Sequence, residues 1–333
     1  MVEFTVAEYL PMADTTPLMK KSAIANGTEK PATPPTPPLW LSYVKLTRIH
    51  KFPLGSMLMF WPCAWGVTMA AIAVGLPWKS LALNTALYLV GATLRHSAGC
   101  VWNDICDIDF DRKVERSKGR PLAAGLVSVA GAFSLFLVLT LLCIGLLAFV
   151  NSEALRAGLF GLFFLDLLYP FMKRWTHWPQ AWLGLAMNWG APVSWIAITG
   201  SVDWRVAPAL LLGGVFWTLH YDTIYACQDK HDDVKAGVKS TAVLFGDAVR
   251  SILACFSALF MACLAYAGWV AQQGPAFFAV AIAGGTLHLI WQLRTLDFDS
   301  VNDCLRMFKA NDDLGFLIWV GLMAEYVRVV LLA

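Results

Sequence analysis

From residue 54 onward the chain alternates long apolar runs with short polar connections. Nine runs, at roughly 54–76, 80–102, 127–150, 155–172, 182–200, 206–225, 248–272, 275–293 and 314–333, are each about long enough to cross ~30 Å of hydrocarbon. The pattern predicts an all-α integral membrane protein with nine transmembrane helices. Residues 1–38 break it. They are polar and mixed in charge, and end in Pro31-Ala-Thr-Pro-Pro-Thr-Pro-Pro38, the composition of a polyproline-type linker. The predicted division is therefore a disordered N-terminal segment, 1–38, and a membrane domain, 39–333.

Composition supports the membrane reading. Of 333 residues 58% are hydrophobic and 14% charged, against about 25% charged in a soluble domain. The eight cysteines show no zinc-type CxxC spacing, and most lie in apolar runs where a free thiol acts as a small hydrophobe. A net charge of +2 gives no reason to expect a nucleic-acid partner; the position of the charges is more informative.

Arg and Lys gather on alternate connections. Lys45, Arg48 and Lys51 precede the first run. Arg112, Lys113, Arg116, Lys118 and Arg120 follow the second, Lys173 and Arg174 the fourth, and Lys230, Lys235, Lys239 and Arg250 the sixth. The positive-inside rule puts the N-terminus and these connections in the cytosol. The first 38 residues hold no Arg but contain Glu3, Glu8, Asp14 and Glu29. Transit peptides are Arg-rich and acid-poor, so an endomembrane such as the endoplasmic reticulum is expected over the mitochondrial inner membrane.

Two acidic groups stand against this apolar background, each at the cytosolic end of a run. The first spans Asn103, Asp104, Asp107, Asp109 and Asp111, and the second Asp229, Asp232 and Asp233 with Asp222 upstream. A carboxylate at membrane depth costs roughly 2.5–3.5 kcal/mol on insertion scales, so two clusters require a compensating interaction. On a helix Asn103, Asp107 and Asp111 share a face that extends back to Cys100 and His96, with Asp104 one turn from Asp107; Asp229 and Asp233 also share a face. Asp109 and Asp232 fall off these stripes. Carboxylates crowded on one face repel unless a cation is bound, and an oxygen-rich set favours Mg²⁺ or Ca²⁺ over zinc. Mg²⁺ is commonly held by a few carboxylates plus substrate phosphates. Basic residues beside both groups suit a diphosphate.

These residues resemble a known family. Asn103-Asp104-x-x-Asp107-x-x-x-Asp111 is similar to the first aspartate motif of the UbiA-type intramembrane prenyltransferases, and Asp229-x-x-x-Asp233 to the second. The stretch Tyr221 to Thr241 resembles the 4-hydroxybenzoate polyprenyltransferase branch. So do Arg48-Ile-His-Lys51-Phe-Pro53-Leu-Gly55, Tyr169-Pro170-Phe-Met-Lys173-Arg174 and Cys304-x-x-x-Phe308-x-x-Asn311-x-x-x-Gly315. The resemblance covers about 45–320. It implies helices around a central cavity and Mg²⁺ bridging the diphosphate of an isoprenoid donor. Carried over by motif position, Asp107, Asp111, Asp229 and Asp233 would hold the metal. Asn103, Arg48 and Arg116 would line the acceptor pocket, and Lys173, Arg174 and Lys239 would bind the diphosphate.

The expected activity is Mg²⁺-dependent transfer of a farnesyl or longer chain to a ring carbon of a phenolic acid, a polyketide-derived acceptor of secondary (meroterpenoid) metabolism. The alternatives are 4-hydroxybenzoate polyprenyl transfer in ubiquinone biosynthesis and a UbiA-like terpene cyclase. A cation transporter would place its acids near the bilayer midplane, whereas these lie at helix ends. Asp222 and Asp104 are the candidates for the base that takes the ring proton. Outside the motifs, Arg95 reads more readily as an intramembrane ion pair than as a substrate ligand. Asn188 reads equally as cavity lining or as an interhelical hydrogen bond, and Asp297, Asp299 and Asp303 as a solvated loop.

Overall fold

A computed structural model describes residues 37–332 apart from 116 and 231–238. The predicted segment 1–38, but for its last two residues, lies outside them, as do Arg116 and Asp233. Every regular element among the described residues is a helix. In chain order these are α1 (Leu39–Leu46), α2 (Ser56–Val74), α3 (Trp78–Asp111), α4 (Val129–Leu147), α5 (Ser152–Trp175), α6 (Pro179–Asn188), α7 (Gly190–Thr199), α8 (Val206–Cys227), α9 (Thr241–Phe245), α10 (Val249–Val270), α11 (Pro275–Thr295) and α12 (Val301–Leu331).

Polar side chains and glycines set the ends. Ser128, Asn151, Ser240 and Ser300 accept hydrogen bonds from the first-turn amides of α4, α5, α9 and α12, satisfying donors that have no intrahelical partner. Gly75 and Gly200 close α2 and α7 in the left-handed conformation open to glycine.

Among the described residues six helices are long and apolar enough to cross a membrane: α2, α4, α5, α11, α12 and the stretch Thr241–Val270 that joins α9 to α10. The remaining three predicted runs are also helical, but polar groups or a break interrupt them. α3 continues past the predicted end at 102 and carries the acidic motif within the helix. α8 carries His220 and Asp222. The run at 182–200, expected as one helix, is two, interrupted at Trp189. Pro192 lacks the N–H that would bond the carbonyl of Asn188, and its ring crowds that carbonyl, a standard cause of a helix break.

α2 is the central post, packed on α3, α7 and α12, while α8 packs on α6 and α10. Its flanks are buried all round, with Trp65 meeting Trp217 of α8 at a ring separation of 5.0 Å. α4, by contrast, exposes Phe133, Leu137, Val138, Leu141 and Leu142, the surface of a lipid-facing helix. Small residues let the inner helices approach closely. A Cβ on Gly184 of α6 would stand 2.9 Å from the backbone of Val215 in α8, the small-residue contact common between membrane helices.

Buried polar groups tie the helices together. Asn188 donates to the carbonyls of Gly184 and Gly214 and to Thr218 Oγ1, at 2.8, 3.0 and 2.8 Å; of its two readings, the structure selects the interhelical bond. Asn311 accepts from Trp217 Nε1 (2.9 Å) and donates to Gln292 Oε1 (3.1 Å), linking α8, α11 and α12. All eight cysteines are free. Asp303 accepts from the backbone N–H of Asp297 and pairs with the exposed Arg306, so the third acidic group is a solvated helix entry, as expected.

Candidate active site at the ends of α3, α5 and α8

The helical spacing of the first acidic group survives folding. Asp104, Asp107 and Asp111 are buried along one face of α3, whereas Asp109 is exposed. Each buried carboxylate meets a cation delivered by another segment. Arg48 Nη2 donates to Asp104 Oδ1 at 2.7 Å. Arg120 Nη1 reaches the same oxygen at 3.2 Å and both oxygens of Asp111 at 3.0 and 2.9 Å. Lys173, in the last turn of α5, donates to Asp107 Oδ2, and Arg174 Nη2 stands 3.7 Å from Asp107 Oδ1.

Local structure aims these cations. Arg48 follows the end of α1 in a left-handed conformation (φ 60°) that few non-glycine residues adopt. From there its Nη1 donates to the terminal carbonyls of Lys45 (3.0 Å) and Leu46 (3.2 Å), while Nη2 takes Asp104. One guanidinium thus caps α1 and anchors it to α3. Arg174 donates to the carbonyl of Cys106 at 2.6 Å and lies against the rings of Phe110 and Phe171. Beside Arg48, burial and then the neighbouring Lys51 and Arg48 push the His50 imidazole below its ordinary pKa.

Beside this cluster opens a cavity of about 280 Å³. Arg48, Asn103, Asp104 and Arg120 supply its polar wall, and Tyr169, Tyr221, Tyr225 and Phe308 its aromatic one, with Asp222 between the two α8 tyrosines in sequence. His96 and Cys100 continue the α3 face along the lining, as the stripe predicted. Of the expected site residues, Asn103 and Arg48 therefore line the cavity. Asp107, Asp111, Lys173 and Arg174 form the ion-paired cluster one to two turns further along α3. Asp229 lies half-buried just past the end of α8, and Lys239 immediately before the Ser240 cap of α9, away from the cavity lining. Arg116 and Asp233 fall outside the described residues.

Sequence reasoning counted Arg120 only among the basic residues flanking the first motif, yet it bridges two buried carboxylates. Its loop position gave no periodicity from which to infer a partner nine and sixteen residues earlier. Tyr169 and Phe308 were visible only as parts of longer motifs. The intramembrane pair was legible in type: Arg95 binds Asp166 through two parallel hydrogen bonds of 2.7 and 2.8 Å.

The donor set suits a hard cation. Asp104 Oδ2 and Asp107 Oδ1 are buried without a hydrogen-bond partner, and such oxygens are costly unless something satisfies them. Among the described residues no three His, Cys, Asp or Glu side chains converge closely enough to chelate an ion unaided. One or two carboxylates plus phosphate oxygens is the usual manner of holding Mg²⁺, and the residues present fit that arrangement.

Comparisons with known proteins show the family and the fold. The model of the UbiA prenyltransferase family matches residues 59–320. The UbiA prenyltransferase claS of Ampulloclitocybe clavipes is 43% identical over 285 residues, covering 85% of this chain and 90% of that protein. The mitochondrial 4-hydroxybenzoate polyprenyltransferase of Schizosaccharomyces pombe is 40% identical, with 86% and 80% covered. Among solved structures, the apo UbiA homolog of Aeropyrum pernix superposes with a TM-score of 0.66 at 22% identity, over 81% of this chain and 97% of its own. A UbiA homolog of Archaeoglobus fulgidus, solved with GPP and Mg²⁺, gives 0.61 at 19% identity, covering 86% and 99%. The fold, the acidic face of α3 and these likenesses converge: this chain is a membrane-embedded transferase belonging to the UbiA prenyltransferase family.

Proposed function

We propose that the enzyme moves a farnesyl or longer chain from an allylic diphosphate to a ring carbon of a phenolic acid, a polyketide-derived acceptor of meroterpenoid metabolism. One observation carries the reading: three buried carboxylates with cations from three other segments stand at one end of an aromatic-lined cavity. The archaeal homolog solved with GPP and Mg²⁺ supports the donor and metal classes.

Asp107, Asp111, Asp229 and Asp233 would hold Mg²⁺, which when bound neutralises the leaving diphosphate. Lys173, Arg174 and Lys239 add fixed positive charge where negative charge develops, the condition for electrostatic catalysis. The donor C1–O bond breaks and its electron pair leaves on the diphosphate. Tyr169, Tyr221, Tyr225 and Phe308 exclude water and turn aromatic faces to the allylic cation. Asn103, Arg48 and Arg116 hold the acceptor's carboxylate and phenol so that an electron-rich ring carbon forms the new C–C bond. The displaced ring proton passes to Asp222 or Asp104.

The proposed organisation is an N-terminal segment, 1–38, followed in the chain by a membrane domain, 39–333, of nine transmembrane helices, counting α3, the α6–α7 pair and α8 with the six apolar helices. The acid-containing, Arg-free first 38 residues support an endomembrane location. The competing reading, 4-hydroxybenzoate polyprenyl transfer in mitochondria, draws on relatives of that name 37–43% identical to this chain.

Membranes containing the enzyme and Mg²⁺, incubated with geranyl, farnesyl and longer diphosphates against phenolic acids including 4-hydroxybenzoate, test both readings. Prenylated polyketide-type acids are expected. Exclusive use of 4-hydroxybenzoate would shift the assignment to the ubiquinone pathway, and an isoprenoid product formed without acceptor would replace it with a cyclase. Imaging a tagged full chain against endoplasmic-reticulum and mitochondrial markers decides the compartment.

A further inference from the structure

The outer side of α1 and the turn after it play no part in the chemistry proposed above. On the inner side Ser42 and Leu46 are buried, Leu46 in a cluster with Ala98 and Val101 of α3. Tyr43 Oη takes the space that a Cβ on Gly131, in the first turn of α4, would need. α1 therefore packs on α3 and the start of α4, beside the exposed α4 side chains Val129 and Phe133. Its other side is bare: Leu39 and Trp40 are 60% and 67% exposed, and Ile49 and Phe52 about half. Lys45, His50 and Lys51 are exposed among them. The charges of Lys51, Arg48 and Lys45 all act on the His50 imidazole, so these four groups form one basic cluster. From Leu39 to Ser56 the chain holds no Asp or Glu.

We infer that residues 39–52 are a membrane-surface anchor that binds anionic phospholipid headgroups and thereby fixes Arg48 in the site cavity. An exposed Trp, aliphatic side chains and basic residues on a short segment beside a lipid-facing helix suit the boundary between headgroups and acyl chains. In the orientation that the basic connections predict, that boundary belongs to the cytosolic leaflet, whose surface is anionic. Arg48 carries the consequence inward. It leaves α1 in a left-handed conformation, holds the carbonyls of Lys45 and Leu46 through Nη1 and Asp104 through Nη2, and lines the cavity. A guanidinium tied to both helices keeps its place only while α1 keeps its own. Headgroup oxygens on Lys45, and Trp40 seated at the acyl boundary, hold α1 at one height. Loss of either loosens the group proposed to take the acceptor's carboxylate, whereas Lys173 and Arg174 are carried separately by α5. The lipid contact stands on this surface alone; its effect on turnover rests on the prenyl-transfer reading.

The full chain, reconstituted in phosphatidylcholine vesicles with and without phosphatidylserine, tests both parts. Binding is read by irradiating vesicles that carry a photoreactive phosphatidylserine or phosphatidylcholine and mapping the adducts by peptide mass spectrometry. On residues 39–52 the wild type should take more adduct from the serine lipid than from the choline lipid. Lys45→Gln should lower that preference about fivefold, the effect of one lysine near an anionic surface. Added inorganic phosphate should leave the labelling unchanged. Equal labelling by the two lipids, an unaltered preference in Lys45→Gln, or labelling abolished by phosphate overturns the anchor whether or not turnover is seen. In the turnover arm, phosphatidylserine should lower the wild-type KM for the acceptor by a similar factor without moving the KM for the donor. Lys45→Gln and Trp40→Ser should each weaken that response. An acceptor KM indifferent to phosphatidylserine, or a donor KM that moves equally, overturns the link to Arg48. A wild type labelled as expected but transferring no prenyl group in either vesicle overturns the transfer reading and leaves the anchor standing.

Discussion

Arg120→Met is the most informative single change outside the four aspartates, because one nitrogen of Arg120 serves two buried acids. Nη1 lies 3.2 Å from Asp104 and 2.9 Å from Asp111. The two carboxylate oxygens therefore stand no more than about 6 Å apart, and at an effective dielectric of about 20 unit charges at that separation repel by roughly 3 kcal/mol. Arg120 is 29% exposed and Asp104 retains Arg48, which lowers the expected cost of removing it to roughly 2 kcal/mol. In a protein of this size that corresponds to a melting temperature lower by roughly 4 °C, read by size-exclusion of the detergent-solubilised protein after heating. Adding Asp104→Asn deletes one of the repelling charges and should restore at least half of the loss. A single variant within about 1 °C of wild type, or a double variant no better than the single, would refute the bridging role.

Three further outcomes follow. Asp107→Ala should abolish Mg²⁺-dependent prenyl transfer with normal accumulation in membranes, and retained turnover would remove Asp107 from the proposed ligand set. Asn188→Leu forfeits its interhelical bonds to Gly214 and Thr218. At about 0.6 kcal/mol for each such bond in a membrane protein it should lower the melting temperature slightly and leave donor selectivity unchanged; a shift in selectivity would make it a lining residue. The Asp203 carboxyl accepts from Arg205 and from the amides opening α8, bonds that hold its pKa below the ordinary value. Its contribution to stability is thus complete above about pH 4 and is lost as pH falls through the lower folded pKa. Melting curves at pH 6 and pH 3 should diverge less in Asp203→Asn than in wild type, and equal divergence would contradict the cap.

What could be read directly from the chain was whatever repeats over short distances. Apolar runs announced the membrane helices, and spacing by three and four put Asp104, Asp107 and Asp111 on one face and Asp109 off it, because a helix of 3.6 residues per turn fixes those relations without reference to anything else. The alternation of basic loops supplied an expected orientation for the same reason. The break at Trp189 was missed, since apolar character is continuous across it and only Pro192 signals the lost hydrogen bond.

Pairing across the fold was a different matter. Arg48, Arg120 and Lys173 lie 56, 16 and 66 positions from the carboxylates they meet, and no local period relates a loop side chain to a helix face. Arg95 asked for a partner because a charge within a bilayer needs one, but that the partner is Asp166, and that Asp166 lines the same cavity as Asp104, depends on how α3, α5 and α2 pack. Helical spacing is a property of the backbone and can be counted along the chain; a cavity is the volume left between helices, and its walls exist only once distant segments have been brought together.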